Sequence, residues 1–153
     1  AGLPYLPDTA QLEWHVHEVY HAAEHSPLAP ERLACVPPER YEVLHFTLHP
    51  AVRLFTSAYP VHRIWQVNQE GYEDDQQVRI DNGGVRLLIE RRDRRIELQV
   101  LGEGEWALLQ AFSGNQSLAA AVETAAAAET GFDLAGALPR LIAQSTLVAF
   151  TLD

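Results

Sequence analysis

The amino-acid sequence predicts an α+β protein organised as two modules. Three observations carry this prediction. Apolar residues recur at helical spacing after Asp8, at Leu12, Val16, Val19, Tyr20 and Ala23. The period then changes to two, first over Leu44, Phe46 and Leu48, later over Val85, Leu87 and Ile89 and over Ile96, Leu98 and Val100. Helical segments follow that second alternation, two of them opened by a capping residue, Ser117 or Asp133.

The first module spans residues 1–71. Asp8, preceded by Pro7, is a good N-cap, so residues 8–24 read as an amphipathic helix. Ser26, Pro27 and Pro30 break it, and Pro30 can open a short helix over residues 31–35 that Pro37 and Pro38 stop. A half-buried strand follows from Val43, because His45, Thr47 and His49 alternate with the apolar residues. Pro50 cannot donate to a ladder and belongs at a turn or an edge. Residues 52–57 continue as a second strand. Pro60 then suits the first position of a helix that carries Val61, Ile64 and Trp65 on one face and ends near Glu70 and Gly71.

The polar, acidic residues 72–77 read as a linker, and the second module spans residues 78–153. It opens with a meander: a strand over 78–81, a turn at Asn82, Gly83 and Gly84, a strand over 85–90, a charged turn over 91–95, and a strand over 96–100. Helices are expected over 103–112, 117–129 and 133–144, with a bend at Pro139, which removes a ladder bond. Residues 147–152 read as a last strand. Three strands, three helices and a strand resemble the winged-helix-like architecture of peptide-recognition domains that bind leader sequences.

Composition excludes several classes. The chain has 153 residues, enough for one compact domain or two small ones. No apolar run reaches the roughly 18 residues of a membrane-spanning helix. Cys35 is the single cysteine, so no intrachain disulfide forms; a reducing, cytoplasmic setting fits, and Cys35 reads as a small buried residue. The net charge is −10, carried by 21 acids against eleven arginines and no lysine. Such a chain repels a phosphate backbone on average. No Gly-x-Ser-x-Gly elbow, phosphate loop or Cys–His pair at a readable spacing is present, so the chain reads as non-catalytic.

Several constellations have a functional and a plainer structural reading. His15, His17, His21 and His25 crowd one helix, the last three spaced by four, a spacing at which two histidines share a metal. Surface histidines on a polar helix face are the simpler reading, and no cofactor is expected. Trp14, Tyr59, His62, Arg63 and Trp65 combine large rings and polar tips of the kind enriched at interface hot spots. Trp65 shares a face with Val61 and Ile64 and reads equally well as core. Trp14 falls off the apolar stripe and is the better interface residue, while His62 and Arg63 are expected to point outward. Arg91, Arg92, Arg94 and Arg95 form a basic cluster interleaved with Glu90, Asp93 and Glu97, which reads as a solvated hairpin tip. The helix pair 117–129 and 133–144 carries only Arg140, too little for major-groove readout.

Two segments resemble a known family. HPAVRLFTSAYPVHRIWQ, residues 49–66, and LPYLPDTAQLEWHVHEVYHAAE, residues 3–24, are similar to signatures of the HvfC/BufC-like proteins, long described as DNA-binding-domain proteins. The resemblance continues more weakly through the second half. It implies an accessory role beside a TIM-barrel oxidase with a multinuclear iron centre, the pair modifying cysteines of a small ribosomally made peptide. The DNA-binding description belongs to a helical segment that precedes the Leu-Pro-Tyr motif. This chain starts at that motif and has no Met, so it reads as a fragment lacking that segment.

The expectation is therefore a recognition subunit. The first module, through Trp14 and residues 59–65, would dock the enzyme. The second would take the precursor peptide as an added strand in a groove between Ile96, Leu98 and Val100 and the helix carrying Leu138, Leu141 and Ile142. The final strand, if it paired with residues 96–100, would close that edge. The rival readings are a transcription regulator with a winged-helix-like domain and a metal-binding module built on the histidine helix.

Overall fold

The computed structural model describes residues 3–67 and 84–152. The acidic linker 72–77, the expected strand 78–81, most of the turn at 82–84 and the expected helix end near Gly71 lie outside the described residues. The class is α+β, with helices and antiparallel strands. The chain forms two compact units, Ala1–Ala22 with Ala51–Leu101 and Ala23–Pro50 with Gly102–Asp153. These units do not coincide with the contiguous division 1–71, 72–77 and 78–153. The reason is strand pairing: partners come from opposite halves of the sequence in both sheets.

In the first unit, helix α1 (Leu6–His21) packs on a sheet formed by β2 (Val52–Ser57), β3 (Val85–Arg92) and β4 (Arg95–Val100), in that order, with α3 (Val61–Val67) beside it. Both strand pairs are antiparallel, Val52 lying opposite Glu90, Ser57 opposite Val85, and Leu87 opposite Val100. Leu12 and Val19 of α1 are fully buried against Val61, Leu87 and Ile89. Each such side chain contributes about 1.5–3 kcal/mol of burial free energy.

Helix α1 begins earlier than expected. Tyr5 stands at the N-cap and Pro7 sits in the first turn, where its missing N–H costs nothing. Asp8 therefore lies inside the first turn, and its carboxylate accepts a 2.5 Å hydrogen bond from the Ser57 hydroxyl at the end of β2. The helix ends at His21 rather than residue 24, where the chain passes to the second unit. Asp93 and Arg94 both take positive φ, 49° and 67°, the signature of the tight two-residue turn whose twist matches its strands.

The second unit contains α2 (Pro30–Ala34), a 3-10 helix (Pro38–Val43), β1 (His45–Leu48), α4 (Glu103–Ser113), α5 (Leu118–Ala128), α6 (Leu134–Ala143) and β5 (Leu147–Thr151). Pro37 and Pro38 do not simply end the preceding helix; Pro38 opens the 3-10 helix. β1 and β5 pair antiparallel, with a register shift at Thr47/Leu48. Thus β5 pairs with β1 and not with β4, and the strands β3 and β4 belong to the other unit. The expected grouping of the meander with the three helices is replaced by a strand pair, β1–β5, with α4, α5 and α6.

Phe46 of β1 centres the core of this unit, edge-on to Phe112 of α4 at 5.3 Å and to Phe150 of β5 at 6.2 Å. The caps are those the sequence announces: Ser117 accepts from the Ala120 amide at 3.2 Å and Asp133 from the Gly136 amide at 3.1 Å. Helix α6 continues through Pro139.

Candidate functional site: an apolar groove and an aromatic helix face

The second unit carries an open apolar groove of about 620 Å³. One wall is made by Pro27, Leu28, Pro30, Leu33, Ala34 and Tyr41, from α2, its approach and the 3-10 helix; the other by Leu138, Pro139, Ile142 and Ala143 of α6. Three of these are prolines, which have no N–H to offer, and the Tyr41 phenol is the one polar side-chain group in the lining. Such a surface binds apolar side chains. It holds no nucleophile or carboxylate with which to act on them. Its size falls in the range of pockets that enclose a small ligand or a few side chains.

Two of the expected peptide-binding residues, Leu138 and Ile142, line this groove, while the third on that helix, Leu141, is fully buried. The strand half of the expected site is elsewhere. Ile96, Leu98 and Val100 lie on β4 of the first unit, and Ile96 and Leu98 pack partly buried against its core, leaving Val100 exposed. Sequence reasoning missed the opposite wall because it treated residues 27–38 as helix breakers. The signal was present: Leu28 and Leu33 sit among prolines that are themselves apolar surface.

The first unit presents a different feature. Trp14 and Tyr20 of α1 are both 57 % exposed. Trp14 stacks on His17 with ring centroids 5.4 Å apart, His17 meets His21 at 4.6 Å, and Tyr20 meets His21 at 5.0 Å. The rings form a continuous aromatic ladder on an outward helix face.

The other expected partner-binding residues are less available. Tyr59 and Trp65 are half-buried against the unit's apolar core. His62 and Arg63, expected to point outward, are half-buried instead; an Arg63 Nη1 donates to Gln66 at 3.3 Å. His62 Nδ1 is buried and makes no hydrogen bond among the described residues. Burial, and secondarily the Arg63 charge, hold the His62 pKa below the usual histidine value.

The histidine helix does not assemble a metal site. His15 turns toward the sheet, 5.4 Å from the Phe55 ring and 3.2 Å from Glu18; His17 and His21 face outward; His25 lies beyond the helix in the second unit, 6.3 Å from His49. Among the described residues no group of three or more His, Cys, Asp or Glu side chains is placed to hold a metal ion. Cys35, expected to be buried, is exposed at the end of α2.

The arginine cluster is partly structural. An Arg91 Nη1 lies 2.9 Å from the carbonyls of Val19, Tyr20 and Ala22, so the guanidinium caps the C-terminal end of α1. Arg92 bridges the buried Glu90 at 2.5 Å and Glu97 at 3.7 Å. Only Arg94 and Arg95 stand exposed at the turn. On the helix pair α5–α6, Arg140 is engaged by Glu105 at 2.5 Å, which removes the one cation available for phosphate or base contacts. No helix among the described residues is long and apolar enough to cross a membrane.

No family model, no curated protein and no solved structure matches this chain.

Proposed function

We propose that this chain is a non-catalytic recognition subunit: it captures a ribosomally made precursor peptide and presents it to a TIM-barrel oxidase with a multinuclear iron centre. The observation that carries the peptide half of this reading is the groove whose lining side chains include no charged group and to which Leu138 and Ile142 contribute. Apolar burial with few polar groups is how peptide anchors are held. The enzyme half rests on the resemblance of residues 3–24 and 49–66 and on the exposed rings of Trp14 and Tyr20, residue types that dominate interface energetics. The rival DNA-binding reading loses support from the engagement of Arg91, Arg92 and Arg140 within the chain.

Co-expression with a candidate barrel enzyme followed by size-exclusion chromatography tests the assembly. A stable complex is expected, weakened at least tenfold by Trp14→Ala with circular dichroism unchanged. Separate elution of the wild-type proteins would refute the enzyme half. Hydrogen exchange with a Cys-bearing precursor peptide tests the other half: protection within the second unit is expected, and a peptide that binds without protecting residues 23–50 or 102–152 refutes it.

A further inference from the structure

The groove combines an apolar floor with a negative setting. The second unit carries ten acidic side chains against three arginines, a formal charge of −7 with histidines neutral. Around the groove the imbalance is sharper than the count. Glu31 on α2 and Glu39 and Glu42 on the 3-10 helix are exposed and form no ion pair among the described residues. The arginines on the same elements are committed: Arg32 sits 5.4 Å over the Phe150 ring, Arg40 donates to the Leu152 carbonyl at 3.4 Å, and Arg140 pairs with Glu105. An anionic lipid, a fatty acid or a nucleic acid strand would bring its charge to a rim that repels it.

We infer that the groove takes a basic amphipathic peptide segment, with leucine- or isoleucine-type side chains against Leu138, Ile142 and Leu33 and lysine or arginine side chains over Glu31, Glu39 and Glu42. This deepens the recognition role proposed above and rests on it for the biological identity of the peptide. Each exposed charge pair contributes about twofold, and three together about tenfold. That gain shrinks with salt, because the Debye length falls from roughly 10 Å at 0.1 M to a few ångströms at 1 M. The apolar side chains supply the rest of the affinity.

The test uses the full chain and three labelled synthetic peptides of equal length: one with leucines at helical spacing among lysines, one with each lysine replaced by glutamate, and one with each leucine replaced by serine. Fluorescence anisotropy should show the leucine–lysine peptide binding about tenfold tighter than either counterpart. The triple variant Glu31→Gln, Glu39→Gln, Glu42→Gln should reduce the preference over the glutamate peptide to about twofold or less. Leu138→Asp, at a half-exposed position, should weaken binding at least tenfold with the circular dichroism unchanged; if that variant misfolds, protection of residues 27–42 and 138–143 in hydrogen exchange replaces it as the readout. Equal binding of the serine peptide would mean attraction to net charge alone and overturn the inference, as would equal binding of the glutamate peptide or no binding of the leucine–lysine peptide. A precursor peptide that protects other residues of the second unit leaves the recognition role standing and removes the groove as its site. A groove that binds the synthetic peptide but no precursor does the reverse.

Discussion

Replacing Arg91 by Met should destabilise the first unit by about 2 kcal/mol. The guanidinium holds three carbonyls of the α1 C-terminal end through one nitrogen, each at 2.9 Å. That nitrogen carries two hydrogens, so at most two full bonds form and the third carbonyl shares one. A hydrogen bond from a charged donor contributes about 1.5–3 kcal/mol, and a cation at a helix C-terminus roughly 0.3–1 kcal/mol. Water at the exposed Tyr20 recovers part of the loss, which sets the expectation near 2 kcal/mol. Methionine keeps most of the apolar stem, so the change isolates the cap from the packing. Urea denaturation followed by tryptophan fluorescence reads the units apart: Trp14 and Trp65 lie in the first, Trp106 in the second. In a Trp106→Phe background the midpoint should fall by roughly 1 M for a slope of about 2 kcal/mol/M. Arg91→Lys should recover less than half of it, because an ammonium cannot fan its donors across three carbonyls. A midpoint shift below roughly 0.25 M for Arg91→Met would refute the capping role and return Arg91 to the exposed basic cluster.

Other perturbations have equally definite outcomes. Gly84→Ala should cost about 1–3 kcal/mol in the same denaturation assay, since the added Cβ would stand 2.5 Å from the Ser57 carbonyl oxygen. Arg94→Gly should stabilise the first unit by about 0.5–1 kcal/mol, because arginine holds φ at 67° where glycine pays no steric cost. His62, with its pKa lowered mainly by burial, is neutral in the fold. The unfolded chain therefore binds its proton first, and stability falls as pH drops below about 6.5 through the lowered native value. Melting temperatures across pH 5–8 should decline less on the acidic side for His62→Phe than for the wild type, and parallel curves would refute the assignment.

Most elements were legible because local periodicity and capping decide them. The strands at 52–57 and 85–92 and the caps at Ser117 and Asp133 follow from alternation and side-chain chemistry within a few residues. What was not legible is long-range. Nothing near Phe46 announces that Phe150 is its partner, and nothing near Arg91 announces the carbonyls of residues 19–22. Alternation shows that Ile96 and Leu98 have a buried face but not which element buries it. The site shared this limit: Leu138 and Ile142 stood out on their own helix, whereas the facing wall looked like a string of breakers. Trp14 was readable as an outward ring because it falls off its helix's apolar stripe.

The threading of the chain has a consequence for how it acquires its structure. It passes between the two units after residues 22, 50 and 101, and β1 waits for β5 at residues 147–151. During synthesis α1 emerges with no sheet to pack on until β3 and β4 follow, more than sixty residues later. The 3-10 helix and β1 wait longer still. A ribosome-bound chain of about 80 residues would therefore hold exposed apolar surface from both halves at once and complete neither. Pairings of such high sequence separation close slowly and leave open intermediates prone to association. Expression of the first 77 residues alone should give insoluble material, and full-length chain should fold better when translation is fast relative to aggregation or a holding chaperone is supplied.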